Sequence, residues 1–332
     1  MKKLFRILLV LAIIPALTMT SCKEEATETE YQKLTTYMAQ NSLDLGDVLD
    51  GWVIGGTGLT VDPVDFTVAD YYIFDLRAAV DFDLGHIKDA HNVTLANLAD
   101  AAEAAGADKK FLLVCYTGQT AARGTGALRM LGYEAKTLKW GMSAWHEDFA
   151  GKWNSSATDF TSPNWVTTGT PSAVKEFDPP SINTGEVNGE DILKARVKTI
   201  LTKDWVALKT DVLSNPSNYF INNKWSLSSW DAYGHINGAY RLDEDLNLDG
   251  LKNLEPSGIM VTYCYTGQTS SITTAWLDVL GFNGRSLKFG VNGIAHSSLV
   301  TGISGKAWKG AGSASELNLG YYDADGLMHG PK

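Results

Sequence analysis

"CYTGQT" runs from Cys115 to Thr120, and the same six residues run again from Cys264 to Thr269, 149 positions on. The same shift lays "GHIKDAHNV" (Gly85–Val93) on "GHINGAYRL" (Gly234–Leu242), and "MLGYEAKTLKWG" (Met130–Gly141) on "VLGFNGRSLKFG" (Val279–Gly290). A register held over so long a stretch is a duplication, and its period is far beyond that of a solenoid unit. Each copy is therefore expected to be a domain with its own core.

Periodicity supplies the elements. "FLLVC" (111–115) and "IMVTYC" (259–264) are apolar runs that end at the cysteine, as strands buried on both faces do. After the second loop, Ile272, Ala275, Trp276, Val279 and Leu280 follow helical spacing. Gly281 then supplies a helix stop, as Gly132 does in the first unit. "AKTLKW" and "RSLKF" read as the next strands, and "YYIFDL" (71–76) and "NYFINN" (218–223) as the strands that begin each unit. Strand, loop, helix, strand is a βαβ unit with a parallel sheet. The fold class is α/β, with a parallel sheet flanked by helices in each unit. Residues 31–49 and 190–213 read as helices leading into the units. Domain boundaries fall at 31–153 and 190–309. Between them, 154–189 is rich in Ser, Thr, Pro, Gly and Asn and reads as a linker or a wrapping connection, its aromatics packed on a domain. The Gly-rich tail 310–332 has no assignment.

The N-terminus reads as a targeting segment. "MKKLFR" is a positive n-region, and "ILLVLAIIPAL" has the length of a signal-peptide core, too short for a mature spanning helix. Small residues before Cys22 resemble a bacterial lipobox, which implies cleavage of 1–21 and acylation of Cys22. Residues 22–30 then form a solvated tether, in which Lys23-Glu24-Glu25 is similar to a surface-export signal. The expected location is the cell envelope, periplasmic or outer-membrane facing, with membrane contact only through the lipid. The net charge of −10 becomes −13 without Lys2, Lys3 and Arg6 of the leader, which argues against a nucleic-acid partner. Cys115 and Cys264 occupy equivalent places in separate units, too far apart to pair, and read as two free thiols.

A cysteine at the C-terminal end of a buried parallel strand sits where open α/β sheets bind ligands. Gly118 and Gly267 permit a tight path into the following helix. The N–H groups of such a turn and the helix dipole favour a thiolate over a thiol, and can hold an anion or a persulfide. No metal-ligand spacing and no phosphate-binding Gly-rich run is present.

At these residues the chain resembles the rhodanese family of sulfurtransferases in its tandem form. "DLRAAVDFDLGHIKDAHNV" (75–93) is similar to the family's Asp-x-Arg, Gly-His-Ile and Ala-x-Asn stretch. "CYTGQT" is similar to its six-residue active loop, and "LGYEAKTLKWGMSAW" (131–145) to its closing strand and Gly-x-x-x-Trp ending. The resemblance implies that Cys115 or Cys264 takes a sulfane sulfur from thiosulfate, polysulfide or a persulfide, carries it as a persulfide, and hands it to a thiol or cyanide-like acceptor. No metal or organic cofactor is implied. Substrate contacts are assigned to Tyr116, Thr117, Gly118, Gln119 and Thr120, and to Tyr265, Thr266, Gly267, Gln268 and Thr269.

The loops depart from the family's thiosulfate-preferring pattern, because Tyr116-Thr117 and Tyr265-Thr266 stand where cationic side chains are usual. Lys139 and Lys288, equivalent across the repeat, are assigned to lend charge beside the thiolate; the plainer alternative is a solvated strand-end lysine. Asp75, Arg77, His86 and His235 are read as supporting residues, the histidines as hydrogen-bonding groups rather than bases. Unit two is less faithful: Asp75-Leu76-Arg77 is matched to Asn222-Asn223-Lys224, and Trp145 to Ile294, so Cys115 is expected to be the better supported thiol. A noncatalytic carrier of sulfane sulfur or an oxyanion is the alternative function. A Cys-dependent phosphatase is disfavoured, because Arg123 lies too far along the helix to grip phosphate.

Overall fold

The structure, a computed structural model, describes residues 28–310 and 315–332. The leader, Cys22 and the start of the tether lie outside the described residues. The tether expected to end at Glu30 gives way to helix α1 (Glu30–Gln40), which Thr29 caps through a reciprocal pair with Gln32. Helix α2 (Leu45–Leu49) follows. The single helix expected over 31–49 is thus two, divided where Ser42 takes φ +53° and Asp44 caps the next turn.

The first unit holds β1 (Val53–Ile54), β2 (Tyr72–Asp75), α3 (Ala79–Asp83), β3 (His91–Asn92), α4 (Leu98–Ala105), β4 (Lys110–Val114), α5 (Gln119–Met130), β5 (Glu134–Leu138), α6 (Met142–Trp145) and α7 (Gly151–Ser156). Its five strands lie in the order β1-β5-β4-β2-β3, all parallel. The connecting segment wraps over the second unit: β6 (Trp165–Val166) pairs antiparallel with residues His235 and Ile236 of that unit. Helix α8 (Gly189–Thr202) leads into β7 (Val206–Ala207), α9 (Lys209–Ser214), β8 (Tyr219–Asn223), α10 (Leu227–Tyr233), β9 (His235–Ile236), β10 (Tyr240–Arg241), β11 (Ile259–Tyr263), α11 (Gln268–Val279), β12 (Asn283–Leu287) and α12 (His296–Gly302). The second sheet, β7-β12-β11-β8-β10, repeats the first. The helix expected over 190–213 ends at Thr202 and gives way to the edge strand β7.

Alternation along the central strand explains the layers. Phe111 and Leu113 of β4 face one core cluster, and Leu112 and Val114 face another; all four are fully buried. The first cluster does not stop at the unit boundary. Leu34, Phe111, Leu113 and Leu128 share it with Ile192, Met260, Ile272 and Trp276. The separate cores expected for the two units are therefore present only on the outer faces of the sheets.

The joint is made by α5 against α11. Helix α5 is weak by propensity, with two interior glycines, yet nearly every residue in it is buried. A Cβ at Gly124 would stand 2.6 Å from Leu98 Cδ2, and one at Gly126 would press on Ile272 of α11 at 3.3 Å. Close packing offsets the poor propensity. Across the joint, Arg123 Nη2 donates to Asp278 Oδ2 at 2.8 Å with both side chains fully buried, and Lys203 meets the other carboxylate oxygen.

The unassigned tail has a place. Its described part forms a hairpin, β13 (Tyr321–Tyr322) with β14 (Met328–His329), and returns to the first unit. His86 and Tyr322 exchange backbone hydrogen bonds, and the Trp145 indole N–H donates to Gly320 O at 2.8 Å.

Candidate functional site

Cys115 is the first residue beyond β4, and the chain turns into α5 through Gly118 at φ +79°. The turn is clamped from behind. Met142 N donates to Cys115 O at 2.8 Å, and Ser143 donates to Tyr116 O through both its N–H and its hydroxyl. Gly141 lets this segment approach: at φ +65°, a Cβ there would lie 2.2 Å from Cys115 O. With the loop carbonyls engaged outward, an N–H is left for the sulfur. Ala121 N donates to Cys115 Sγ at 3.4 Å, from the positive end of α5. Among the described residues one backbone N–H reaches each sulfur, where the sequence suggested several.

A cavity of about 590 Å³ opens on Cys115, lined by Arg77, Asp81, Tyr116, Lys152, Lys288 and Phe289 among others. The buried Arg77 guanidinium grips Asp75 through Nε and Nη2, and Nη2 also donates to Gly85 O at 2.6 Å. Arg77 Nη1 has no hydrogen-bond partner. The Tyr116 ring lies 5.2 Å from Arg77 Cζ and 3.8 Å from Lys152 Nζ, and its hydroxyl donates to Asp81 at 2.9 Å. Burial, with the Asp81 hydrogen bond, pushes the Tyr116 phenol above its ordinary value. Lys152 and Lys288 form no ion pair among the described residues. The cavity thus carries two ammonium groups without an ion-pair partner, together with the Asp81 carboxylate.

The second unit repeats the loop but not its surroundings. Gly267 takes φ +77°, and a Cβ at Gly290 would lie 2.3 Å from Cys264 O. Ser270 N donates to Cys264 Sγ at 3.4 Å, and the Ser270 hydroxyl stands 3.5 Å from the sulfur. Sheet register corrects the alignment of the preceding motif. Asp75 pairs with Val114 and Asn223 with Tyr263, so Asp75-Leu76-Arg77 corresponds to Asn223-Lys224-Trp225, one residue from the match made on sequence. Trp225 therefore occupies the place of Arg77. Its indole is buried against Tyr263 and Tyr265, with the Tyr265 ring 4.9 Å away.

Several site assignments are revised by these contacts. Gln119 and Gln268 are buried and face the opposite unit: Phe289 N donates to Gln119 Oε1 at 2.7 Å, and Trp140 N approaches Gln268 Oε1 at 3.5 Å. Both amide oxygens thus face backbone N–H groups of the opposite unit, while Gln119 Nε2 donates to Thr117 and the buried Gln268 Nε2 has no hydrogen-bond partner. Lys139 donates to Gly305 O at 3.1 Å, and burial holds its ammonium below the ordinary lysine value. Lys288 follows β12, whose register runs beside the strand of Cys264, and it also lines the cavity on Cys115 of the other unit. His86 binds Phe82 O through Nδ1, and the buried His235 stacks on Trp230 at 3.6 Å; both brace the chain behind the loop. Thr117 and Thr120 line the cavity. Thr117 also accepts from Gln119 Nε2 at 3.0 Å. Lys152 and Asp81 escaped the sequence reading. The repeat could not reveal Lys152, because the position 149 residues on is Thr301.

The family model for the rhodanese-like domain matches residues 63–148, within the first unit. The thiosulfate sulfurtransferase GlpE of Shewanella oneidensis is 36% identical over 76 residues, covering 23% of this chain and 75% of that protein. Among solved structures, 3-mercaptopyruvate sulfurtransferase from Leishmania major is 14% identical, with 84% of this chain and 96% of that chain covered and a TM-score of 0.27. A probable thiosulfate sulfurtransferase is 18% identical, with coverages of 71% and 96% and a TM-score of 0.26.

Proposed function

Because the chain belongs to the rhodanese-like family, we propose that it is a sulfurtransferase whose working thiol is Cys115. The supporting observation is the cavity itself: it brings Arg77, Lys152 and Lys288 to one sulfur at a helix N-terminus. The loop itself holds no cation, which by sequence weighs against an anionic donor; Lys152 and Lys288, which have no ion-pair partner among the described residues, supply charge from outside it, while Arg77 is paired with Asp75.

In the proposed cycle the Cys115 thiolate attacks the sulfane sulfur of a donor such as thiosulfate. A new S–S bond forms, the old one breaks, and sulfite leaves with the electron pair. The persulfide anion rests against Ala121 N and the α5 terminus, as charge placed among fixed dipoles. An acceptor such as cyanide or a thiolate then attacks the outer sulfur, and the electron pair returns to Cys115. The residues around the cavity supply charge and orientation, and no proton need be moved by His86.

Thiosulfate and cyanide should yield thiocyanate with the wild type and with Cys264→Ser, and none with Cys115→Ser. Thiocyanate from Cys115→Ser alone would transfer the assignment to Cys264. Uptake of one sulfur atom by Cys115 without turnover to any acceptor would favour the carrier reading. We also propose that Cys22 is acylated and holds the protein on the cell envelope; Cys22→Ala should move it from the membrane fraction to the soluble one.

A further inference from the structure

The tail hairpin and the first unit share an outer face that the sulfur chemistry does not use. The hairpin is stitched to two separate stretches of the unit. Tyr322 exchanges backbone hydrogen bonds with His86, Ala324 N donates to Asp83 O at 3.0 Å, and the Tyr322 hydroxyl donates to Asp65 O at 3.0 Å. Apolar residues adjoin each stitch. Val64 precedes Asp65, Leu84 follows Asp83 with Val80 one helical turn before it, and Leu327 closes the hairpin turn through its carbonyl to Asp323 N. Val64 is 76% exposed, Val80 67%, Leu84 64% and Leu327 61%. Single exposed apolar side chains are ordinary, but a group of them rimmed by polar residues marks an interaction surface. The rim here is acidic: Asp62, Asp83 and Asp325 are exposed and form no ion pair among the described residues. Lys88, which lies over the Tyr322 ring, is already bonded to Asp65 at 2.5 Å. The face also adjoins the sulfur site, because Ala78 and Asp81 at the start of the same helix, α3, line the cavity on Cys115.

We propose that this face docks a protein acceptor of sulfur, one that presents a cysteine among apolar and basic residues. The inference rests on Cys115 being the working thiol. Charge decides the occupant. A basic edge complements Asp62, Asp83 and Asp325, whereas a second copy of this chain, at net charge −10, would bring like charge to the contact. Leu84, Val80 and Leu327 supply the apolar centre, and the carboxylates set the approach. With the partner seated on α3, its thiol reaches the persulfide of Cys115 from the side of Ala78. The acceptor sulfur attacks the outer sulfur and passes its proton to it. The bond from that sulfur to Cys115 breaks, and the electron pair returns to Cys115. Atoms and charge balance without an added oxidant. The hairpin thus completes a surface that the first unit could not form by itself, since Leu327 and Asp325 both come from the tail.

The test loads Cys115 with sulfur from thiosulfate and follows transfer to three acceptors. These are a short peptide with a central cysteine flanked by alternating leucine and lysine, the same peptide with glutamate for lysine, and dithiothreitol. The wild type should prefer the lysine peptide to the glutamate peptide by roughly tenfold in kcat/KM, and added salt should shrink that ratio. Leu84→Ser with Leu327→Ser should raise KM for the lysine peptide by about as much and leave dithiothreitol unaffected. Asp83→Lys with Asp325→Lys should reverse the preference between the peptides. Binding is read separately, without transfer: in Cys115→Ser protein, the lysine peptide should move the methyl resonances of Val80, Leu84 and Leu327. Equal use of the two peptides, an unchanged KM in the serine variant, or methyl shifts confined to other surfaces overturns the proposal. Self-association that Leu84→Ser abolishes overturns it in favour of a second copy. Failure of wild-type Cys115 to gain sulfur overturns the sulfurtransferase reading itself, and the methyl shifts then still decide whether the face binds.

Discussion

Gly141 and Gly290 occupy one role twice. Each stands at positive φ with the loop carbonyl directly beneath it, and each follows an aromatic residue that is itself left-handed, Trp140 at φ +66° and Phe289 at φ +63°. Such backbone is costly away from glycine and persists only where its surroundings hold it. Gly141→Ala should destabilise the protein by about 2 kcal/mol or more and displace the Cys115 loop, read as loss of thiocyanate formation together with a lower melting temperature. The Lys-aromatic-Gly spacing was visible in the sequence twice over, but the reason for it was not, since the group that excludes a Cβ lies 26 residues earlier, at Cys115. At the same scale, burial against Trp230 holds the His235 imidazole below its ordinary value of 6.5. The unfolded chain binds a proton below that value which the folded chain refuses. Stability is therefore complete above pH 6.5 and falls as the solution is acidified toward the folded value. Denaturation midpoints at about pH 7.5 and about pH 5.5 should separate less in His235→Gln than in the wild type.

At the scale of elements, the helices after the two loops form the spine of the molecule. The sequence marked α11 by its apolar spacing and both helix ends by Gly132 and Gly281, which take φ +89° and +98°. It gave no comparable signal for α5, because glycine and alanine stand where packing needs small side chains, and small side chains leave no hydrophobic stripe. Nor could spacing show that Arg123, set aside as too far along the helix for ligand binding, is the cation of a fully buried pair with Asp278. Asp278 also receives Lys203 and the Gly284 N–H, so its removal strands several donors at once. Asp278→Ala should cost about 3–5 kcal/mol, measured by urea denaturation. The short edge strands β1 and β7 went unseen because two residues cannot display a period. The strand before each loop, and the loop that follows it, were legible because burial on both faces writes a continuous apolar run.

Across the whole molecule, the shared core joins the halves that the repeat suggested were separate. Self-comparison of a sequence finds equivalent positions but not which of them touch, so the exchange of Gln119 and Gln268 and the crossing of Lys288 lay beyond it. A single cooperative transition should be seen by far-UV circular dichroism and by tryptophan fluorescence alike. Two resolved transitions would mean that the joint between α5 and α11 yields before either sheet.

The reciprocal seating of the two glutamines carries a consequence of its own. Contacts that each partner makes and receives are the mark of a two-fold homodimer. The chain has the plan of such a dimer with its subunits fused end to end. The covalent connection makes their association intramolecular, so the face between them need not bind tightly. Once fused, the copies are free to differ, and here one carries arginine where the other carries tryptophan.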